Sequence, residues 1–241
     1  MLSERQEQIL DLLIQEYIDS AEPVSSQSIE KKHKFGISPA TIRIEMQKLT
    51  GSGYLCQPHT SAGRVPTDKG YRFFVDRISD GDNNSKERRE DLLDIWQELE
   101  EEMESSFRFA RTLAKRMSRE TSNMATAYFP EDEIAVKEGW SGMFKEPEFD
   151  DAAYIERFAK TVDELEDKLQ EIDGVSGSEG MHIFIGRENP MPEARDFSLI
   201  VSKISLPGER QGFMAILGPK RMAYDKNISL INSLKKFLEN F

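Results

Sequence analysis

Cysteine is almost absent: Cys56 is the only one in 241 residues. That excludes an internal disulfide and a cysteine-rich zinc site, and it suits a reducing compartment. Histidine is nearly as scarce, and His33, His59 and His182 lack the spacing of a metal-ligand set. No apolar run approaches the about 18 residues of a membrane span. The opening MLSERQEQ has no basic stretch followed by an apolar one, so a cytoplasmic protein is expected. No phosphate-cradling glycine loop is present either; Gly174 to Gly180 contains no lysine and reads as a connection. No nucleophile, base and orienting group can be assembled, so neither an enzyme nor a cofactor is expected. What remains is 38% hydrophobic and 32% charged, enough for one large core or two modest ones.

The net charge of -12 is unevenly placed. Residues 1–78 hold ten basic and ten acidic side chains, so the whole excess of acid belongs to the remainder. In the first part the acids fall mainly on the opening helical pattern and the bases gather from Lys31 onward. Screening limits the reach of a charge to about 8–10 Å, so this local balance matters more to a polyanion than the sum does.

The stretch from Ser38 to Pro66, SPATIRIEMQKLTGSGYLCQPHTSAGRVP, organises the first part. Ser38 suits an N-cap and Pro39 the first helical position. Ile42, Met46 and Leu49 recur at helical spacing and turn one face into a core. The opposite face carries Thr41, Arg43, Gln47 and Lys48, which can hydrogen-bond base edges or phosphates. Arg43 is the first choice for guanine, and its bland alternative is a surface pair with Glu45 or Glu30. Ser38 is first a cap, although a helix N-terminus also holds phosphate. Gly51 and Gly53 stop the helix, Tyr54 to Gln57 reads as a short strand, and Arg64-Val65 begins the return. A helix followed by such a ribbon is the winged variant of the helix-turn-helix, whose helix enters the major groove.

Upstream, Ser3 to Ile18 is a helix with a capping-box start and an apolar stripe of Ile9, Leu10, Leu13, Tyr17 and Ile18. A second helix runs from Val24 to about Lys34, and Phe35-Gly36-Ile37 turns into the third. Thr67 caps a further helix to Ile78. Residues 79–85 have linker composition and divide a DNA-binding domain, 1–78, from a second domain, 86–241. A long helix is expected to about Arg119, with Leu92, Trp96, Leu99, Met103, Ser106, Ala110, Leu113 and Met117 forming a near-heptad seam. That seam is either a dimerising face or a helix laid along its own domain. Strands are expected at Met124–Phe129, Glu133–Lys137, Met181–Gly186, Phe197–Ser205 and Gln211–Leu217, with an irregular stretch at Trp140–Phe149. Helices are expected at Asp151–Ile172 and Tyr224–Phe241, and a loop at Asp173–Gly180. The whole is an α+β fold with a mainly antiparallel sheet.

The segments SPATIRxEM and GYLxQPHTSAGRxPTDKGYRFxVD closely resemble the HrcA family of heat-inducible transcription repressors, and a looser similarity covers IGRENP and GPKRMAYDKNI near the end. The resemblance implies a winged-helix domain on a GAF-like domain, a homodimer, and repression of chaperone operons through an inverted-repeat operator called CIRCE. It also implies chaperonin as a partner that keeps the repressor competent. On its own the Pro58–Gly63 loop is a hairpin turn; with the resemblance, His59, Thr60, Ser61 and Arg64 are placed on the backbone or in the minor groove. Lys69 and Arg72, with Tyr71, are expected to add phosphate contacts, although Tyr71 also suits the core. Three departures stand out. Ile44 occupies a position where the family usually has Asn, Lys220 and Ala223 replace the Thr and Asp of GPTRMDY, and Phe129 to Glu133 is too short for the family's additional dimerising segment. The helix from Ser85 is the replacement considered. A small-molecule sensor is the competing reading of the second domain.

Overall fold

The structure, a computed structural model, describes residues 2–33, 36–80, 93–176, 180–207 and 210–240. It divides into two compact units, Met1–Asp82 and Asn83–Phe241. In the first, α1 (Glu4–Ser20) opens on a reciprocal cap: Ser3 N donates to Gln6 Oε1 at 3.0 Å and Gln6 N to Ser3 Oγ at 3.4 Å. Ala21 ends it in the left-handed region, φ 55°. Its buried stripe is Ile9, Leu10, Leu13 and Ile14, whereas Tyr17 and Ile18 are half-buried. The second helix, α2 (Ser26–His33), starts two residues later than the spacing predicts, because Val24 is extended and bridges Arg64. Gly36 turns the chain at φ 72°, while Lys34 and Phe35 lie outside the described residues.

Helix α3 (Pro39–Gly51) has Ser38 as its N-cap, with Thr41 N donating to Ser38 Oγ at 3.2 Å. Two-residue strands β1 (Leu55–Cys56) and β2 (Val65–Pro66) pair antiparallel, Leu55 opposite Pro66. Cys56 lies in β1 but faces outward rather than packing. Thr67 Oγ1 accepts from Gly70 N at 3.2 Å and starts α4 (Asp68–Asp80), which lays Tyr71, Phe74 and Val75 into the core. That settles Tyr71 as core. Arg77 of α4 reaches Asp11 of α1 at 2.8 Å. The expected linker at 79–85 falls partly on α4, and residues 81–92 lie outside the described residues.

In the second unit the expected long helix is two helices, α5 (Leu93–Glu101) and α6 (Ser106–Thr121). Its predicted beginning, residues 86–92, lies outside the described residues. The break has a local and a distant cause. Ser105 leaves the helix at φ -122° and its Oγ accepts from Arg108 N at 3.4 Å, an N-cap in the middle of the heptad pattern. Arg210, far along the chain, donates to Met103 O at 3.0 Å and Ser106 Oγ at 2.8 Å, satisfying groups that the interruption exposes. Leu99, Ala110, Leu113 and Met117 are fully buried in their own unit, and Trp96 stacks on Phe237 at 5.3 Å. The described part of the seam therefore fits the second of the two readings, a helix laid along its own domain.

Next come β3 (Met124–Phe129), a 3-10 turn and β4 (Ile134–Glu138), a hairpin in which Phe129 pairs with Ile134. The stretch expected to be irregular holds α7 (Trp140–Met143) and a 3-10 turn at Pro147–Asp150. Helix α8 (Ala152–Ser176) runs into the predicted loop, leaving 177–179 undescribed. Strands β5 (Met181–Ile185), β6 (Phe197–Leu206) and β7 (Arg210–Pro219) and helix α9 (Tyr224–Leu238) complete the unit. The sheet runs β4-β3-β7-β6-β5, every neighbouring pair antiparallel. Leu199, Val201, Phe213 and Leu217 meet Phe158, Val162 and Leu165 of α8. Alternation sends Ile200, Ile204, Met214 and Ile216, also buried, to the other face, where α6 and α9 pack. Among the described residues no helix is long and apolar enough to cross a membrane.

The two late sequence motifs are internal clasps. In IGRENP, Asn189 is buried and its Nδ2 faces the carbonyls of Gly186, Ala194 and Phe197 at 2.9, 3.0 and 3.0 Å. In GPKRMAYDKNI, Arg221 donates to Glu148 at 2.6 and 2.9 Å and also to Glu146. Burial opposes its charge, but the carboxylate hydrogen bonds outweigh that and hold the guanidinium above its ordinary pKa. Tyr224 Oη donates to Lys220 O at 2.7 Å and lies 2.6 Å from Ser198 Oγ.

Removing either clasp therefore destabilises the second unit. Asn189→Ala is expected to cost about 1–3 kcal/mol by stranding buried carbonyls. Arg221→Ala is expected to cost about 2–4 kcal/mol, below a fully buried pair because Glu146 and Glu148 keep 28% and 27% of their side-chain exposure. Denaturant midpoints measure both; changes within about 0.5 kcal/mol, the range of an ordinary surface substitution, would overturn the clasp reading.

Candidate functional site

The exposed face of α3 and the β1–β2 hairpin enclose one side each of a groove of about 420 Å³. From α3 it receives Arg43 and Gln47, from the hairpin Gln57, Thr60, Ser61 and Arg64, and from the start of α2 Ser25, Ser26 and Gln27. Five of the sequence-predicted residues are thus brought together: Arg43, Gln47, Thr60, Ser61 and Arg64. Gln57 and the Ser25–Gln27 segment were not anticipated as part of it. Their signal was a helix-start pattern and a strand end, and neither tells which face the backbone pairing of Val24 will present.

Arg43 is exposed and has no hydrogen-bond or ion-pair partner among the described residues. Of the two acids named for it, Glu45 is occupied elsewhere. Glu45 accepts from Lys48 Nζ at 2.9 Å and from Gln6 Nε2 at 3.0 Å. Lys48's hydrogen bond, against some loss of hydration and with help from Gln6, holds the Glu45 carboxyl below its ordinary pKa. Arg43 is left as a free fork of donors suited to a planar acceptor pair.

The other cations are more committed. Lys48 shares its charge with Glu45. Arg64 is half-buried and donates to Thr50 Oγ1 at 3.1 Å and Gly63 O at 3.3 Å, which leaves part of its fork for a ligand. Lys69 donates to Ser52 O at 2.8 Å and sits 4.3 Å above the Tyr54 ring, while Arg72 pairs with Asp76 at 3.3 Å. Neither Lys69 nor Arg72 lines the groove. Ser38 and Thr41 serve the start of α3, their hydroxyls 3.0 Å apart. His59 is exposed at the hairpin tip, its carbonyl accepting from Ala62 N at 2.9 Å. Gln57 ties the tip down, its Nε2 donating to Thr60 O at 2.8 Å and Ala62 O at 3.0 Å.

The root of the hairpin is held by reciprocal backbone bonds, Val24 N to Arg64 O at 2.9 Å and Arg64 N to Val24 O at 2.8 Å. Gly63 makes this approach feasible: a Cβ there would lie 2.3 Å from Val24 O.

Fold and groove define a class: a two-unit chain with a small helical head bearing a polar, arginine-lined groove, followed by an α+β module on an antiparallel sheet. Residues 83–228 match the sequence model of the family described as "HrcA protein C terminal domain", and the chain belongs to the HrcA family. A heat-inducible transcription repressor HrcA of Alkaliphilus metalliredigens is 27% identical over 333 aligned positions, covering 98% of this chain and 97% of the relative. That alignment is longer than the 241-residue chain, so the relative carries a substantial stretch that this chain lacks. The repressor of the same name from Streptomyces albus G is 52% identical over 80 residues, 33% of this chain and 24% of that protein. A solved structure described as a hypothetical protein at 2.2 Å resolution shares the fold, with a TM-score of 0.75 at 20% identity over 100% of this chain and 99% of its own. Proteins of the HrcA family are transcription repressors, not enzymes.

Gly63→Ala is expected to force the hairpin root away from Val24 and destabilise the first unit by about 1–3 kcal/mol. Faster amide exchange across α1 and α3, with the second unit unchanged, is the readout. Unaltered exchange would mean that the root is not under this constraint.

Proposed function

We propose that the chain is a DNA-binding transcription repressor whose first unit is a winged helix-turn-helix and whose second, GAF-like unit holds two copies across a dyad. The operator is then an inverted repeat of the CIRCE kind, and the regulated genes are those of the heat-shock response. The observation that carries the reading is the groove in which unpaired Arg43 and Gln47 of α3 converge with Thr60, Ser61 and Arg64 of the hairpin. Such a pair of surfaces suits B-DNA, with α3 reading base edges in the major groove and the hairpin gripping the backbone alongside. Family membership supports repression, and the balanced charge of residues 1–78 leaves this head free of the acidic excess carried by the rest.

Arg43→Ala is expected to lower the preference for operator over random duplex, since a bidentate guanine contact is worth about 1–3 kcal/mol of discrimination. Arg64→Ala is expected to weaken both duplexes alike and flatten the salt slope by about one per protomer. Its melting temperature needs checking, because Arg64 also bonds Thr50. Titrations at several salt concentrations separate the two effects, and an equal loss of preference in both variants would overturn this division of roles.

A second reading, in which the GAF-like unit senses a small anion, has one observation behind it. A second cavity of about 420 Å³ is lined by Lys115, Arg119 and Lys145, with Ser118 and Ser122 beside them, and by the carboxylates of Glu138 and Glu146. Operator affinity after mild heating distinguishes the two modes of control. Chaperonin control predicts tighter binding with added chaperonin and none of that gain with inorganic pyrophosphate; the sensor reading predicts the reverse. Identical binding under all conditions would remove both.

A further inference from the structure

Ile44 stands on the reading face of α3 with 52% of its surface exposed. The other large apolar residues of this helix behave differently: Ile42 and Leu49 are at 0% and Met46 at 4%. Exposed large hydrophobics are few, and among the described residues they are Ile44, Phe107 and Phe144. Helical spacing puts Ile44 in line with Gln47 and Lys48, at i+3 and i+4, and beside Arg43, all of them exposed. It therefore interrupts a polar surface rather than fringing the core.

Packing within the chain does not account for this placement, and helix formation does not favour it, since a β-branched residue at an exposed position is a weaker helix former than Lys, Glu or Gln. What β-branching does supply is stiffness. In a helix the isoleucine side chain is held almost entirely in one χ1 rotamer, so its methyl groups present a fixed apolar knob. Base edges in the major groove offer one apolar group for such a knob, the C5-methyl of thymine.

We propose that Ile44 is a specificity-determining residue that reads a thymine methyl near the guanine contacted by Arg43. The inference rests on the DNA-binding reading of the first unit and adds an identity to one base of each half-site. Gln47 and Lys48 flank the knob with hydrogen-bonding groups, so the strip combines one apolar and several polar contacts. That combination distinguishes thymine from cytosine, and also from uracil, whose hydrogen-bonding edge is the same.

The test uses the full chain and a duplex carrying an inverted repeat selected from random sequence by the wild-type protein and verified by footprinting. Each thymine of the half-sites is replaced in turn by deoxyuridine, which removes the methyl and nothing else. At one symmetric pair of positions the wild type is expected to lose about four-fold in affinity per half-site and about fifteen-fold for both, the value of one buried methyl group. Ile44→Ala is expected to bind thymine and uracil duplexes equally at those positions, with an unchanged melting temperature because the side chain is exposed. Ile44→Val is expected to keep most of the sensitivity. A flat uracil scan with the footprint intact overturns this inference alone, as does a uracil penalty that survives in Ile44→Ala. Failure of the wild type to protect any duplex symmetrically overturns the DNA-binding reading and this inference with it.

Discussion

The first unit depends on one short length of paired backbone. Val24 and Arg64 exchange two hydrogen bonds, and the absence of a side chain at Gly63 lets the strands come that close. Each partner fixes something different. On the Val24 side the bridge delays α2 and aims Ser25, Ser26 and Gln27 at the groove. On the Arg64 side it sets where the hairpin leaves the core, and so where Thr60 and Ser61 stand relative to α3. The groove is the space left when α2, α3 and the hairpin meet at this point. Its polar lining belongs to three separate stretches of sequence.

Local signals in the chain were a good guide wherever the determinant was itself local. Ser3 with Gln6 and Ser38 with Pro39 mark helix starts that the structure places at those residues. Alternating apolar residues gave five strands of the second unit to within two residues at either end. The failures came where a distant residue decided the outcome. The heptad pattern across Ser106 is real as a pattern, yet Ser105 caps a new helix there and Arg210, more than a hundred positions away, secures the break. Similarly, nothing near Ser25 announces that Val24 will pair with Arg64. Of the site, the cationic and hydroxyl side chains were legible one by one; their commitments to Glu45, Thr50, Ser52 and Asp76 were not.

Those commitments rank the basic residues in a way that charge alone does not. Lys48, Lys69 and Arg72 each have a defined partner, and Arg64 divides its fork between structure and open space. Arg43 has none among the described residues, and Glu45, two positions on, is turned inward to Gln6 and Lys48. A reading face needs at least one donor set whose best partner is supplied from outside. In the second unit the same logic runs the other way. Arg221, Tyr224 and the Nδ2 of Asn189 are engaged by their own chain, while Asn189 Oδ1 is buried without a hydrogen-bond partner among the described residues. Their role is to hold the loops against the sheet.

The solitary thiol has a practical side. Cys56 projects outward from β1, at the base of the hairpin whose tip carries His59, Thr60 and Ser61. A maleimide dye would attach to every molecule at the same place without any competing sulfhydryl having to be engineered away. The unaltered sequence thus comes with a built-in vantage point for fluorescence, from which movement of the hairpin could be followed in real time.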